Sequence, residues 1–304
     1  MRTEDPVVTE VPGGRGGGRV VARRGRGDAD NGASPGRSER AASPGRGGGR
    51  VAVARDAASA SILEWLARIG AGSAIEVAQA CRVSPRVAQG RLAALQERGE
   101  VRSRRLLHGS PALHVLTRSG LRAAGRAELE PVVLSAGGFA HMLAVARVAV
   151  ALEDAGHDVG GERELRAWER LEGRPLASAE LGFGPDGGLA LHRPDLVCWD
   201  GTRPIAVEVE LTVKAPARLA AIVRGWARSR LIDGVVYYAT PAVARALARA
   251  VRSEAAGEQV TVLALDRAGE VPPFDPRVPS QVARSVGPST ESQSKGTPWR
   301  PSIE

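Results

Sequence analysis

Aromatic residues and lysine are scarce in this chain of 304 residues, and both shortages restrict how it can bind a partner. Only 3% of the residues are aromatic, so stacking of unpaired bases on aromatic side chains is disfavoured as a main binding mode. Lysine occurs only at Lys214 and Lys295, and the formal charge of +8 therefore rests on arginine. A GC-rich genome would explain the preference for arginine over lysine but not the positive net charge. This net charge predicts salt-dependent binding of a polyanion.

The sequence also lacks several features that would indicate a particular cellular compartment or chemical activity. The two cysteines, Cys81 and Cys198, lie far apart and are predicted to be reduced interior thiols. No apolar run approaches about 18 residues, and the N-terminus lacks the apolar core of a secretory signal, which predicts a cytoplasmic protein without a membrane partner. Phosphate-loop and clustered zinc-ligand patterns are absent too, which disfavours nucleotide hydrolysis and a zinc centre.

The composition divides the chain into four segments. Residues 1–57 are rich in Gly and Arg, and residues 269–304 in Pro, Ser and Arg, so both are predicted to be disordered. The first segment is either an arm that adds phosphate contacts or the result of a start assigned upstream of the true one. Two ordered domains are predicted between them, over 58–130 and 131–268.

The first domain is predicted to contain three helices followed by a hairpin. A first helix ends at Gly70, and a capping box at Ser73–Glu76 begins a second. Ser84 and Pro85 begin a third, which ends at Gly99. The apolar stripe of this third helix is predicted to consist of Val87, Ala88, Leu92 and Leu95.

A hairpin over 101–117 and a short helix over 118–127 complete this domain. The order is typical of a winged helix-turn-helix, which inserts its third helix into the major groove of double-stranded DNA. Eleven arginines against six glutamates in 58–130 favour this interpretation. The predicted DNA contacts are Arg86, Gln89 and Arg91 on the helix and Arg102, Arg104 and Arg105 in the wing. Winged helices also serve as protein-binding modules, so a protein-interaction adaptor stays open.

The second domain is predicted to form a mixed sheet flanked by helices. Helices are expected over 139–155, 216–229 and 241–253, and strands over 159–167, 189–199, 204–213, 235–239 and 260–265. Acidic residues interrupt two of these strands, at Asp195 and at Glu208 and Glu210. Burying carboxylates is costly unless a cation or hydrogen bonds compensate them. Asp195 and Glu208, with Glu153 or Glu164 beside them, are therefore predicted to hold Mg²⁺ or Mn²⁺.

Two histidines lie close to this set in the sequence or the predicted topology. His141, early in the first helix of the domain, either faces the site or is a core or surface histidine. His192 precedes the Pro194-Asp195 pair and is a candidate for supporting it. Arg193 or Arg224 would balance the carboxylates if these are structural.

Pro194-Asp195 followed by Glu208-x-Glu210 at the end of an apolar strand resembles the PD-(D/E)XK nuclease superfamily. More narrowly, the run from His192 through Thr212 to Lys214 is similar to the replication-relaxation family of actinobacterial plasmids and mobile elements. The resemblance covers residues 58–266 and implies an α+β chain: a winged helix-turn-helix followed by a restriction-endonuclease-like sheet. It also implies a role in plasmid replication or mobilisation, with DNA and other replication proteins as partners. A homodimer stays open.

The sequence departs from the superfamily motif at one position. The motif places a lysine two residues after its second carboxylate, where this chain has Glu210. Lys214 lies four residues further along, about 13 Å away in a straight strand, and would reach the site only if the chain curls back. Asp195, Glu208, Glu210 and Lys214 are therefore candidate catalytic residues of a nuclease. A degenerate nuclease fold, in a non-catalytic transcriptional regulator or replication accessory factor, is the alternative.

Overall fold

The chain combines helices with mixed and antiparallel sheets, in agreement with the α+β class expected from the sequence. The computed structural model describes residues 56–185, 187–265 and 271–273. The predicted arm (1–57) and tail (269–304) lie almost wholly outside these residues. Within the described ranges, no helix combines the length and apolar character that crossing a bilayer requires.

Three capped helices come first: α1 (Ala57–Ile69), α2 (Ala74–Ala80) and α3 (Pro85–Glu97). Gly70 ends α1 with a positive φ of 105°, a conformation that glycine adopts without steric cost. The capping box between Ser73 and Glu76 forms as predicted. The Ser84 side chain accepts a hydrogen bond from the backbone of Val87, with Pro85 in the first turn of α3. These local signals explain why the predicted helix limits are correct here.

A small antiparallel sheet follows these helices. Strand β1 (Ala71–Gly72) pairs with β3 (Leu113–Leu116), which pairs in turn with β2 (Val101–Arg104). The short helix α4 (Arg118–Ala123) begins at Thr117, whose hydroxyl accepts a hydrogen bond from the backbone of Gly120. The predicted order of three helices, a hairpin and a short helix is present, and β1 adds a third strand.

A five-stranded sheet forms the second half of the molecule, in the order β10-β9-β8-β7-β4. The strands are β4 (Val159–Gly161), β7 (Leu196–Cys198), β8 (Ile205–Glu210), β9 (Gly234–Ala239) and β10 (Val260–Ala264). The pairs β8–β9 and β9–β10 are parallel, and the pairs β7–β8 and β4–β7 are antiparallel. Helix α5 (Phe139–Asp154) covers one face, and α7 (Pro216–Arg228) and α8 (Pro241–Ser253) cover the other. Strand β8 is therefore covered on both faces.

Two of the strand predictions are wrong in this half. The strand expected over 159–167 ends at Gly161, and Glu162–Glu172 form helix α6. Its buried Leu165 and Trp168 are three residues apart, a spacing that one face of a helix can bury and one face of a strand cannot. The strand expected over 189–199 breaks around Pro194, which lacks a backbone N–H for a sheet. Its first part, β6 (Leu189–His192), pairs instead with the unpredicted β5 (Ala179–Phe183).

Apolar clusters cross the domain boundary that the sequence places near residue 130. Ala146 and Val150 of α5 and Ala167 of α6 pack into the core formed by α1 to α4. In a second cluster, Leu134, Phe139 and Leu143 pack against Ala71, Leu113 and Val115 of the small sheet. The described residues accordingly belong to one compact unit.

Candidate functional site

Asp195 lies in the break between β6 and β7, beside the carboxyl end of β8. Its Oδ2 accepts a hydrogen bond of 2.8 Å from the backbone N–H of Val209. Its carbonyl oxygen accepts one of 3.0 Å from the N–H of Glu162, the first residue of α6. Because Leu196 pairs with Val207, Asp195 lies opposite Glu208 in the register of the two strands. Both the backbone and the side chain of Asp195 are therefore fixed at this edge of the sheet.

His141 reaches the same carboxylate from α5. Its Nε2 lies 3.0 Å from Asp195 Oδ1, and 42% of its side chain is exposed. The hydrogen bond to Asp195 raises the pKa of His141 against the opposing effect of burial. Of the two placements left open by the sequence, this histidine therefore faces the site.

Glu208 is buried on the face of β8 that α7 covers. Its Oε1 lies 2.6 Å from His192 Nε2, and the His192 ring packs edge-on against Trp226 at a centroid distance of 5.7 Å. Burial raises the pKa of the Glu208 carboxyl, the contact with His192 opposes this, and the nearby Asp195 adds to the rise. His192 is thus in direct contact with the second carboxylate of the set.

Lys214 turns back onto the strand that it follows. Its ammonium contacts the carboxylate of Glu210, because the chain leaves the sheet after Glu210 and bends before α7 begins at Pro216. Burial lowers the pKa of Lys214, while the charges of Glu208 and Asp195 act in the opposite direction. The condition under which Lys214 could serve the site, a curl of the chain before Pro216, is therefore met.

The two additional metal ligands considered from the sequence lie elsewhere. Glu153 accepts hydrogen bonds from Arg68 (2.6 Å) and Trp65 (2.9 Å) of α1. Glu164 contacts Arg126 at 2.6 Å. These carboxylates join the first half of the molecule (α1 to α4) to the second half (α5 to β10). The expectation that either one belongs to the acidic site, which we define as Asp195, Glu208 and Glu210, is wrong. Helix α6 turns Glu164 toward Arg126, and the end of α5 turns Glu153 toward α1.

The acidic site leaves two carboxylates, Asp195 and Glu208, as candidate ligands of a cation. No cluster of three or more His, Cys, Asp or Glu side chains suited to a metal occurs in the described ranges. Mg²⁺ is commonly held by one or two carboxylates together with water and substrate phosphates, rather than by a full cage of side chains. Asp195 and Glu208, which lie opposite each other in the strand register, would supply that number. A bound cation would compete with His141 and His192 for them.

The arginines proposed as structural counter-charges have other partners. Arg193 Nε lies 2.8 Å from the buried carboxylate of Glu169, which also accepts hydrogen bonds from Ser178 and the backbone of Leu176. Arg224 makes two hydrogen bonds to Glu254, at 2.7 and 3.0 Å. The expectation that Arg193 or Arg224 balances the acidic site is therefore wrong, and histidines and a lysine contact these carboxylates instead.

A cavity of about 180 Å³ opens beside Asp195, between the two halves of the molecule. Its lining includes Gly70 and Ala71 from the first half and His141, Met142 and Arg163 from the second. Arg163 is itself bound through its Nη atoms to the carbonyls of Ala67 and Glu130. Of the acidic site, Asp195 and its partner His141 therefore line a recess to which both halves contribute.

The helix α3 presents its predicted DNA-contacting residues to solvent. Arg86, Gln89 and Arg91 are exposed, and Arg91 also contacts Asp56 at 2.8 Å. The predicted apolar stripe is correct for Ala88, Leu92 and Leu95, but Val87 is 42% exposed. One turn of helix separates Ala88 from Leu92, whereas Val87 is rotated by about 100° from Ala88 toward solvent. The exposed face of α3 thus combines basic, amide and apolar side chains.

The arginines of the predicted wing, the ribbon formed by β2 and β3, are exposed as well. Arg102 and Arg104 share the solvent face of β2, as the alternation of side chains along a strand requires. Arg105 follows the end of the strand. Arg102 donates a long hydrogen bond of 3.4 Å to the carbonyl of Val132, near the cavity. Among the described residues, no side-chain hydrogen bond or ion pair involves Arg104 or Arg105.

The chain matches no family model and no curated protein sequence.

Proposed function

We propose that the chain is a DNA-binding protein of plasmid or mobile-element replication or mobilisation, with a Mg²⁺- or Mn²⁺-dependent nuclease-like site. The return of Lys214 to Glu210, beside Asp195 and buried Glu208, carries this proposal. It brings a lysine ammonium close to the carboxylates of Glu210, Glu208 and Asp195 at one edge of the sheet. A metal held by carboxylates and a nearby ammonium can together stabilise the charge that develops on a phosphodiester during cleavage, and here the ammonium comes from outside the usual motif position.

Each side chain of the site has a separate role in this proposal. Asp195 and Glu208 would hold the cation, which when bound neutralises charge on a scissile phosphate. Lys214 supplies a fixed positive charge beside the phosphate, and Glu210 orients it. His141, half exposed in the cavity and bonded to Asp195, is placed to hold a proton at its Nε2.

The first half of the molecule supplies the proposed DNA contacts. The exposed Arg86 and Gln89 of α3 suit guanine and adenine edges, and Arg104 and Arg105 suit phosphates. Because this half shares its core with α5 and α6, a duplex held there has a fixed position relative to the acidic site. Binding and the acidic site are therefore proposed to act on the same DNA.

Nicking of supercoiled plasmid in Mg²⁺ or Mn²⁺ tests the acidic site. Asp195→Asn keeps an oxygen that can accept from Val209 but removes the charge, so nicking should fall by at least about 100-fold, the range for loss of one electrostatic group. Glu258→Gln, which removes an exposed charge far along the chain, is the matched control. Equal nicking by Asp195→Asn and by the wild type would exclude catalysis at this site.

A non-catalytic regulator or replication accessory factor is the second candidate. It is favoured by one observation: Asp195, Glu208 and Glu210 each contact a basic side chain that compensates their charge. In that case the wild type shows no nicking with either metal, and Asp195→Asn binds DNA as tightly as the wild type.

Replacement of one ribbon arginine tests the DNA contacts. Arg104→Ala should weaken binding to all sequences alike and reduce the slope of log affinity against log salt by about 1, because one phosphate contact is lost. Fluorescence anisotropy with two unrelated duplexes over a salt series measures both effects. Arg122→Ala, on the exposed side of α4, is the control. A sequence-dependent loss would instead assign Arg104 to a base edge.

A further inference from the structure

The helix α8 carries a stripe of arginine that neither the acidic site nor α3 and the ribbon use. Arg245, Arg249 and Arg252 are all exposed and lie four and three residues apart, so they share the solvent face of the helix. Val243, Ala246 and Leu247 are buried on the opposite face. The three guanidinium groups extend over about 10 Å of helix axis, at about 1.5 Å per residue.

No acidic residue compensates this stripe within its own helix. Neither α8 nor the neighbouring α7 contains an aspartate or glutamate, whereas together they contain six arginines. Glu254, just after α8, is bound by Arg224 through two hydrogen bonds. The Arg stripe therefore keeps its charge at the surface.

A general preference for arginine in the chain does not explain this pattern. Helix α6 contains three arginines too, but it also contains Glu162, Glu164, Glu169 and Glu172. Interaction with the helix dipole does not explain it either, because this effect is confined to the last turn and only Arg252 lies there. Among the described helices of more than ten residues, only α7 and α8 thus lack an acidic residue.

The stripe lies on a different side of the molecule from α3. Helix α8 packs on α7, β9 and β10, on the sheet face opposite α5. The first half of the molecule packs instead against α5, α6 and β4. A ligand on the stripe therefore occupies a surface separate from the proposed contacts of α3 and the ribbon.

We propose that Arg245, Arg249 and Arg252 form a second binding surface for the phosphate backbone of double-stranded DNA. The proposal rests on the proposed function only in taking DNA as the partner, and it does not require an active acidic site. Duplex is favoured over single strands because the one exposed aromatic residue in the described ranges is Phe183, on β5. Without an aromatic platform, contact with the backbone is the available mode.

The test compares two charge-matched triple variants of the full chain. R245Q/R249Q/R252Q removes the stripe, and R166Q/R170Q/R174Q removes three exposed arginines on and just after α6. Affinity for a fluorescein-labelled duplex is measured by anisotropy between about 50 and 200 mM salt. The stripe variant should reduce the slope of log affinity against log salt by about 2 to 3, at about 0.9 per phosphate contact. The α6 variant should leave it near the wild-type value.

A third variant, R245K/R249K/R252K, keeps the charge and should restore most of the slope. Equal slopes for the stripe variant and the wild type overturn the proposal, as does an equal loss in both glutamine variants. So does a stripe variant that loses binding to anionic lipid vesicles but retains DNA binding. Arg104→Ala probes the ribbon separately. If Arg104→Ala weakens DNA binding and the stripe variant does not, only the second surface is rejected. If only the stripe variant weakens binding, the second surface is supported and the ribbon contact is rejected.

Discussion

Glu208 shows how the acidic site is stabilised at the scale of single residues. A carboxylate at the centre of a sheet must be compensated, and here its nearest partner is His192, held in place by Trp226. Within the described residues, arginine, the common basic residue of this chain, is not the partner of any of the three carboxylates.

Removal of His192 should therefore destabilise the fold through Glu208. His192→Ala is expected to lower the free energy of unfolding by about 3 kcal/mol, because it leaves a buried carboxylate without its partner. Urea unfolding at neutral pH measures this loss. In a Glu208→Gln background the same substitution should cost much less, and His108→Ala, at an exposed position, should cost almost nothing. Additive effects of the two substitutions would show that the pair is not coupled.

At the scale of elements, the ribbon of β2 and β3 is held by a buried polar pair. His114 of β3 lies beside Ser103 of β2, and its Nδ1 contacts the Ser103 hydroxyl. Burial lowers the pKa of His114 to about 4. The ribbon that presents Arg102 and Arg104 therefore depends on a histidine that stays neutral.

Because His114 is buried and neutral, the folded protein should be less stable in mild acid. The pKa of His114 is lower in the folded than in the unfolded chain. As pH falls from about 6.5 toward 4, the unfolded chain takes up a proton that the folded chain does not, which costs at most about 3 kcal/mol. Urea unfolding at several pH values measures this. His114→Gln should reduce the loss between pH 7 and pH 5. The exposed His108→Gln should leave it unchanged, and an unaltered profile for His114→Gln would contradict the assignment.

At the scale of the whole molecule, charged side chains join the two halves. Glu153 at the end of α5 accepts from both Trp65 and Arg68 of α1, and Arg126 contacts the buried Glu164 of α6. Apolar clusters cross the same boundary. The elements proposed to bind DNA and those that form the acidic site thus share one core.

One cooperative unfolding transition is expected as a result. Far-ultraviolet circular dichroism and tryptophan fluorescence should report the same midpoint, because unfolding of either half exposes the shared core. Glu153→Ala should lower both midpoints together, at a cost of about 3 kcal/mol for a broken, largely buried ion pair. Asp154→Ala, the exposed neighbour, is the control. Two separate transitions, with only one of them shifted, would show that the halves unfold independently.

The sequence by itself determined the features that depend on near neighbours in the chain. Ser73, Ser84 and Gly70 fix helix limits through hydrogen bonds and backbone conformations within a few residues, so those limits were predictable. The placement of Glu208 and Glu210 on one face of β8 followed in the same way from the alternation of side chains along a strand. The spacing that places Arg245, Arg249 and Arg252 on one face can also be seen in the sequence once α8 is known to be a helix.

Only the tertiary structure decided which side chains meet. The separation of Glu153 and Glu164 from the acidic site depends on Arg68 and Arg126, which lie 85 and 38 residues away in the sequence. The identity of α6 as a helix, the break at Pro194 and the return of Lys214 depend on packing against elements distant in the chain. Local propensities differ by less than about 1 kcal/mol per residue, whereas burial and pairing of charged groups involve several, so the distant contacts prevail.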